Sequence, residues 1–159
     1  MSSESMDLEQ SRDAALLALI DSVPYYRFLE IEVERLGDEL TTHLPFRQKF
    51  VGNPFLPAIH GGIMGAFLEV TAQIQLGWLQ VSASDTTTPD QMDRPHLPSI
   101  PKTIDATIDY LRSARPQETF ARAIVQKAGR RVVHIHVTAW QDERDRPIAS
   151  MRGNFLMPS

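Results

Sequence analysis

The segment that most restricts what this chain can fold into is Ile63 to Leu79, IMGAFLEVTAQIQLGWL, apolar on nearly every side yet carrying Glu69 in its middle. A helix on a protein surface shows a polar stripe, so one that is apolar all round is read as buried. An unpaired carboxylate is costly to bury, so Glu69 needs a neighbour or a task. His60-Gly61-Gly62 opens the run. Glycines at a helix start leave its free N–H groups sterically open to an incoming ligand. With 159 residues, the chain can bury such a helix in one sizeable core and is hard to divide into two.

The flanking sequence indicates what covers this helix. Leu8 to Val23 has helical spacing, with Leu16, Leu17, Leu19 and Ile20 on one side and Pro24 as a stop signal. Phe28 to Leu36 alternates apolar and charged residues and predicts a strand, which Gly37-Asp38 turns into a partner over Glu39 to Pro45. A turn-rich loop, RQKFVGNPFLPA, then leads to the central helix. Beyond it, residues 80–98 are polar and aperiodic, as expected of a disordered loop or a lid.

Four further strands are expected. In Lys102 to Arg112, Ile104, Ala106, Ile108 and Tyr110 alternate with Thr103, Asp105, Thr107 and Asp109, so the two sets are assigned to opposite faces. Thr119 to Lys127, a turn at AGRR, Val132 to Gln141 and Ile148 to Met157 complete the meander. The order predicts an α+β fold, an antiparallel sheet of five to six strands wrapped around one long helix. Residues 1–24 read as an N-terminal helical extension and 25–159 as a single domain.

Charge and composition exclude several functions. A net charge of −4 and a pI near 5.7 lack the basic excess of a nucleic-acid binder. Glu69, Gln73 and Gln75 interrupt the longest apolar run, which argues against a membrane span. The start, MSSESMDLEQSRD, is unlike a secretory signal, and a cytoplasmic protein is expected. Without cysteine there is no disulfide framework and no thiol nucleophile. His134 and His136 share a strand face but lack a third ligand at persuasive spacing, so no metal is expected.

Glu69 has a plain reading, a helix residue that reaches solvent or pairs with a cation, and a chemical one, an acid poised in a pocket. The second gains from context. HGG, an acid eight residues after the first glycine, the segment TIDATIDYLRSAR, a GRR hairpin and the final IASMRGNFLM together resemble the hotdog-fold acyl-CoA thioesterases. The match is to the phenylacetate-pathway and 4-hydroxybenzoyl-CoA type and spans roughly residues 25 to 157.

That resemblance implies hydrolysis of a small or medium, possibly aromatic, acyl-CoA without a cofactor. It implies that the Gly61 N–H binds the thioester oxygen and that Glu69 activates water or attacks directly. Asn53 and Thr103 match positions that orient the water. His60 fits better as a residue holding the turn than as a base, and Gly62 lies beside the incoming thioester. Arg112, Arg115, Arg130 and Arg131 are either a solvated rim or a grip on coenzyme A phosphates, for which arginine forks are suited.

Other readings stay open. Glu69 to Gln73 also resembles the helix of hotdog hydroxyacyl-thioester dehydratases, but the upstream loop holds Phe50, Asn53 and Phe55 where those enzymes need a histidine. A non-catalytic acyl-CoA-binding module is the third. Phe55, Phe67 and Trp78 are candidates either for an acyl pocket or for the core.

Geometry adds a constraint of its own. Eight residues of helix span about 12 Å, whereas groups acting on one carbonyl lie within about 3 Å of the reacting atoms or one water away. Gly61 and Glu69 of one helix therefore cannot readily share a substrate. A two-fold homodimer would bring the acid from the neighbouring helix, and a dimer of dimers is the further possibility.

Overall fold

A computed structural model describes residues 3–83 and 99–159. Among these, the chain forms α1 (Ser3–Ser22), α2 (Pro24–Leu29), β1 (Glu32–Leu36) and β2 (Glu39–Leu44). A short helical turn at Gln48–Phe50 precedes α3 (Gly61–Ala83). Then come β3 (Lys102–Tyr110), β4 (Thr119–Ala128), β5 (Val132–Trp140) and β6 (Ala149–Leu156). The strands make one six-stranded sheet in the order β1-β2-β4-β5-β6-β3, with every pairing antiparallel. The inward residues Val133, Ile135, Val137 and Ala139 of β5 alternate with half-buried His134, His136 and Thr138, so one sheet face packs on α3 and the other meets water.

The expected buried helix is α3, whose Phe67, Leu68, Ile74 and Leu76 are wholly buried. It is not uniformly apolar. Ala66, Glu69, Gln73 and Gln80 are only partly buried, and their spacing puts them on one stripe that continues to exposed Gly62. Opposite that stripe the helix meets the sheet. The N-terminal helix α1 packs on α3 through Leu16 and Ile20. Arg35 of β1 ties α1 down through Asp13 at 2.6 Å and Glu9 at 2.8 Å, and lies 5.0 Å over the Trp78 ring.

Three expectations are corrected. The strand placed at Phe28 to Leu36 starts only at Glu32, because Pro24 opens the second helix, α2. Proline at a first helical position has φ already set for helix. Burial of Tyr26 and Leu29 supports that turn, and Glu30 ends it with φ 57°, its N–H bonded to the Arg27 carbonyl while Ile31 bonds to Tyr26. This is a Schellman-type closure, here made by a residue other than glycine. Second, the polar stretch assigned to residues 80–98 begins inside α3, which runs to Ala83, and residues 84–98 lie outside the described residues.

Third, β3 does not alternate strictly. A bulge between Thr103 and Asp105 interrupts its pairing with β6. An extra residue moves everything on one side of it to the other face. Thr103 therefore pairs with buried Phe155, while Ala106, Ile108 and Tyr110 pair with Gly153, Met151 and Ala149 on that same inner face. Asp105 and Asp109 point the other way, toward Asn154 and Arg152.

Candidate active site

The first turn of α3 is organised by His60. Three of the first four helical N–H groups end on this one residue: Gly62 on Nδ1 at 2.8 Å, Ile63 on the carbonyl at 2.9 Å and Met64 on the carbonyl at 3.1 Å. The fourth, Gly61, has no acceptor among the described residues. Its N–H lies at the positive end of a 23-residue helix, a position that favours negative charge. With Nδ1 accepting from Gly62, His60 holds the turn as expected, and its ring packs closely. A Cβ on Gly62 would lie 2.9 Å from Nδ1, so a larger residue there would have to displace the His60 ring.

Tyr110 secures the same turn from β3. Its hydroxyl donates to the Gly61 carbonyl at 2.7 Å, and its ring lies 3.4 Å from where a Gly61 Cβ would be. A cleft of about 430 Å³ opens here, lined by Ile59, Gly61, Met64, Tyr110, Arg112 and Ile148 among others. Arg112 stands at this cleft and also donates to the Pro147 carbonyl.

Two turns along α3, Glu69 accepts a short hydrogen bond from the Thr103 hydroxyl. The β3 bulge makes this possible, because strict alternation would point Thr103 away from the helix. The chain leading into β3 runs alongside α3, with the Ser99 carbonyl bonded to Gln80 at 3.1 Å and the Pro101 carbonyl to Gln73 at 3.5 Å. Gln73 in turn accepts from the Tyr26 hydroxyl at 2.7 Å. Burial raises the Tyr26 pKa above the ordinary tyrosine value, and the nearby Glu69 charge raises it further. Glu69 thus sits half-buried among hydroxyl and amide groups, with no cation on its carboxylate among the described residues.

The structure brings Glu69 and Thr103 together and sets Gly61, Gly62 and His60 in one turn. It gives Asn53 a local role: its Oδ1 accepts from the Phe55 N–H at 2.9 Å in an exposed turn. The four arginines stand at two ends of the sheet. Arg112 and Arg115 lie beyond the Tyr110 end of β3, and Arg115 is paired with Asp142. Arg130 and Arg131 lie at the β4–β5 hairpin, whose Arg131 carbonyl binds Met157 near the Lys102 end of β3. Phe67 and Trp78 are core, whereas Phe55 is 91% exposed. His134 is on the outer sheet face, 3.1 Å from the Asn154 side chain. No cluster of metal-binding side chains occurs among the described residues.

Tyr110 and Tyr26 were not singled out as site residues from sequence. Tyr110 lay within the quoted DYLR segment, whereas nothing in the local sequence of α2 links Tyr26 to a helix forty-seven residues away. Gln73 had a signal in its position one turn beyond Glu69, on the same side of the helix.

A six-stranded antiparallel sheet around one long helix is the layout of a hotdog fold. Residues 56–148 match the thioesterase superfamily model, and the chain belongs to that family. It is 29% identical over 137 residues to the medium/long-chain acyl-CoA thioesterase YigI of Escherichia coli, covering 85% of this chain and 86% of YigI. Among solved structures, a Chromobacterium violaceum protein is 33% identical with a TM-score of 0.65, covering 97% of this chain and 98% of its own. The E. coli PaaI protein from the phenylacetic acid degradation operon superposes with a TM-score of 0.72 at 13% identity, covering 96% of each chain.

Proposed function

We propose that this protein hydrolyses acyl-CoA thioesters as a two-fold homodimer in which Gly61 of one chain and Glu69 of its partner act on the same carbonyl. The observation that carries the reading is the pairing of Thr103 with a half-buried Glu69, about two helical turns from an N–H left without an acceptor. The likeness to YigI favours a medium or long aliphatic acyl group over an aromatic one.

In this reaction the thioester oxygen accepts from the Gly61 N–H. Glu69, oriented by Thr103, takes one proton from a water as the water oxygen bonds to the carbonyl carbon. The C–S bond then breaks, the acid leaves, and the proton passes to the coenzyme A thiolate. If Glu69 itself attacks, the intermediate is an anhydride that water opens. A single turnover in heavy-oxygen water separates the routes, since only the second can put label into the Glu69 carboxylate.

Two features support the dimer. Strand β3 has β6 on one side and, among the described residues, no strand on the other, so its edge is open to pairing with a second copy. The stripe of Ala66, Glu69, Gln73 and Gln80 lies beside β3, whose Thr103 bonds Glu69, and is the face we assign to the second copy. Pairing of dimers into tetramers and a cytoplasmic location belong to the same reading. No helix among the described residues is long and apolar enough to cross a membrane.

The direct test is release of free thiol from a panel of acyl-CoA esters of increasing chain length. Turnover of at least one member, lost in Glu69→Gln, is the expected result. No thiol release across the panel, with binding retained, would make the protein an acyl-CoA-binding module instead.

A further inference from the structure

Pro24 opens α2 and Glu30 closes it, so the short helix between them is fixed at both ends. That helix buries the Tyr26 ring, which is 2% exposed, and brings its hydroxyl to α3. A buried tyrosine hydroxyl needs a hydrogen-bond partner. Here the partner is Gln73 Oε1 at 2.7 Å, on the residue one helical turn beyond Glu69 and on the same side of α3. Burial, reinforced by the Glu69 charge, holds the Tyr26 pKa above the ordinary tyrosine value, so the hydroxyl keeps its proton and stays a donor.

The Gln73 amide has one orientation open to it. Its nitrogen lies 3.5 Å from the Pro101 carbonyl, which can only accept. Turning the amide over would set two oxygens against each other there and withdraw the acceptor from Tyr26. The amide nitrogen therefore carries two N–H groups for one long contact. Glu69, a neighbour at four residues' spacing, is complementary. Thr103 occupies its Oε1, and Oε2 has no donor among the described residues. A donor and an acceptor so placed suit one water, which donates to Glu69 Oε2, accepts from the Gln73 N–H and keeps a lone pair for a carbonyl carbon.

We propose that Tyr26 is a positioning residue for hydrolysis: by holding Gln73 Oε1, it aims the Gln73 N–H at the water that Glu69 deprotonates. The assignment rests on the thioesterase reading and adds two residues to it, one of them from a helix outside the sheet and its central helix. As the water oxygen bonds to the carbonyl carbon, one water proton passes to Glu69, and the Gln73 hydrogen bond keeps the attacking lone pair in line. Tyr26 touches neither substrate nor water. It acts only through the amide.

The test is steady-state thiol release from acyl-CoA esters by Tyr26→Phe, Gln73→Met and the double variant, with a melting curve for each. Gln73→Met keeps length and bulk without the N–H, and should lower kcat by about 10- to 30-fold at unchanged KM. Tyr26→Phe keeps the ring but frees the amide to turn. It should lower kcat by about 3- to 10-fold, again at unchanged KM. The double variant should be no slower than Gln73→Met, because the amide through which Tyr26 acts is gone. A packing role alone would lower the melting temperature and leave kcat of the folded protein unchanged.

Wild-type kcat in Gln73→Met would overturn the proposal, even if Tyr26→Phe fails to fold. So would losses that multiply in the double variant, or a loss carried wholly by KM. Thiol release by the wild-type protein is scored first and keeps the two failures apart. With turnover present, unchanged variants overturn only the roles of Tyr26 and Gln73. No turnover of any ester overturns the hydrolase and the positioned water together.

Discussion

The two ends of the stretch from Gly61 to Glu69 differ in kind. At Gly61 the useful group is a backbone N–H, made available because His60 takes up the other three donors of the turn and Tyr110 holds the carbonyl. At Glu69 it is a side chain, made useful by a strand bulge that turns Thr103 inward. One end is determined by helix termination and close packing, the other by tertiary register. In the proposed reading, a donor without a base and a base without a donor, about 12 Å apart along one helix, become one site when the helix of a second chain is brought alongside.

The strongest way to break this comparison is to remove the acid end. Glu69→Gln should keep the fold, since the amide can still accept from Thr103, but lower kcat by about 10³-fold or more. Steady-state hydrolysis alongside a melting curve decides it. Near wild-type kcat would take Glu69 out of the mechanism.

Mixed dimers sharpen the comparison by asking which chain supplies which end. Gly61→Pro deletes the free N–H at a first helical position, where proline is tolerated and no hydrogen bond is lost. Combined with Glu69→Ala in a doubly tagged heterodimer, it leaves one composite site wholly wild type. Activity should then return to about half per dimer. A folded, inactive heterodimer would show that each site is built within one chain.

Smaller effects follow from the supporting residues. Thr103→Val should lower kcat by roughly 10- to 100-fold with little change in KM, because it misplaces the base while leaving substrate contacts alone. An equal rise in KM would instead point to a binding role. Arg130→Ala with Arg131→Ala should raise KM for coenzyme A esters by about 3- to 10-fold and spare N-acetylcysteamine thioesters, which lack the nucleotide. Equal losses on both substrates would assign the hairpin a structural role.

At the Gly61 end, Tyr110→Phe should cost only about 1 kcal/mol of stability, the usual worth of one hydrogen bond. Chemical denaturation would measure it.

Much of this architecture could be read from local pattern. The central helix, the hairpin turn at Gly37, the β4–β5 turn and the inward residues of β5 all follow from periods of 3.6 or 2 and from turn chemistry, and the six-stranded sheet bears them out. The placement of Gly61 at a helix start and of Glu69 within an apolar helix was legible, because helix starts and acids inside apolar runs carry their own signal. What local pattern misplaced were features in which one residue changes the outcome. At residues 28–31 a helix closed by left-handed Glu30 has the same alternation as a strand. At Thr103 a single bulge reverses the face.

Sequence by itself therefore determined a largely buried helix that opens on two glycines and carries an acid about 12 Å along it from the first. Those are consequences of composition and of the 1.5 Å rise per residue, which no tertiary contact alters. Tertiary structure alone decided that Thr103 holds that acid, that Tyr26 reaches Gln73 across forty-seven residues, and that the arginines divide between two ends of the sheet. Each of these depends on strand register and on packing between distant segments. The energy that sets them lies in contacts between elements, and no window of neighbouring residues contains it.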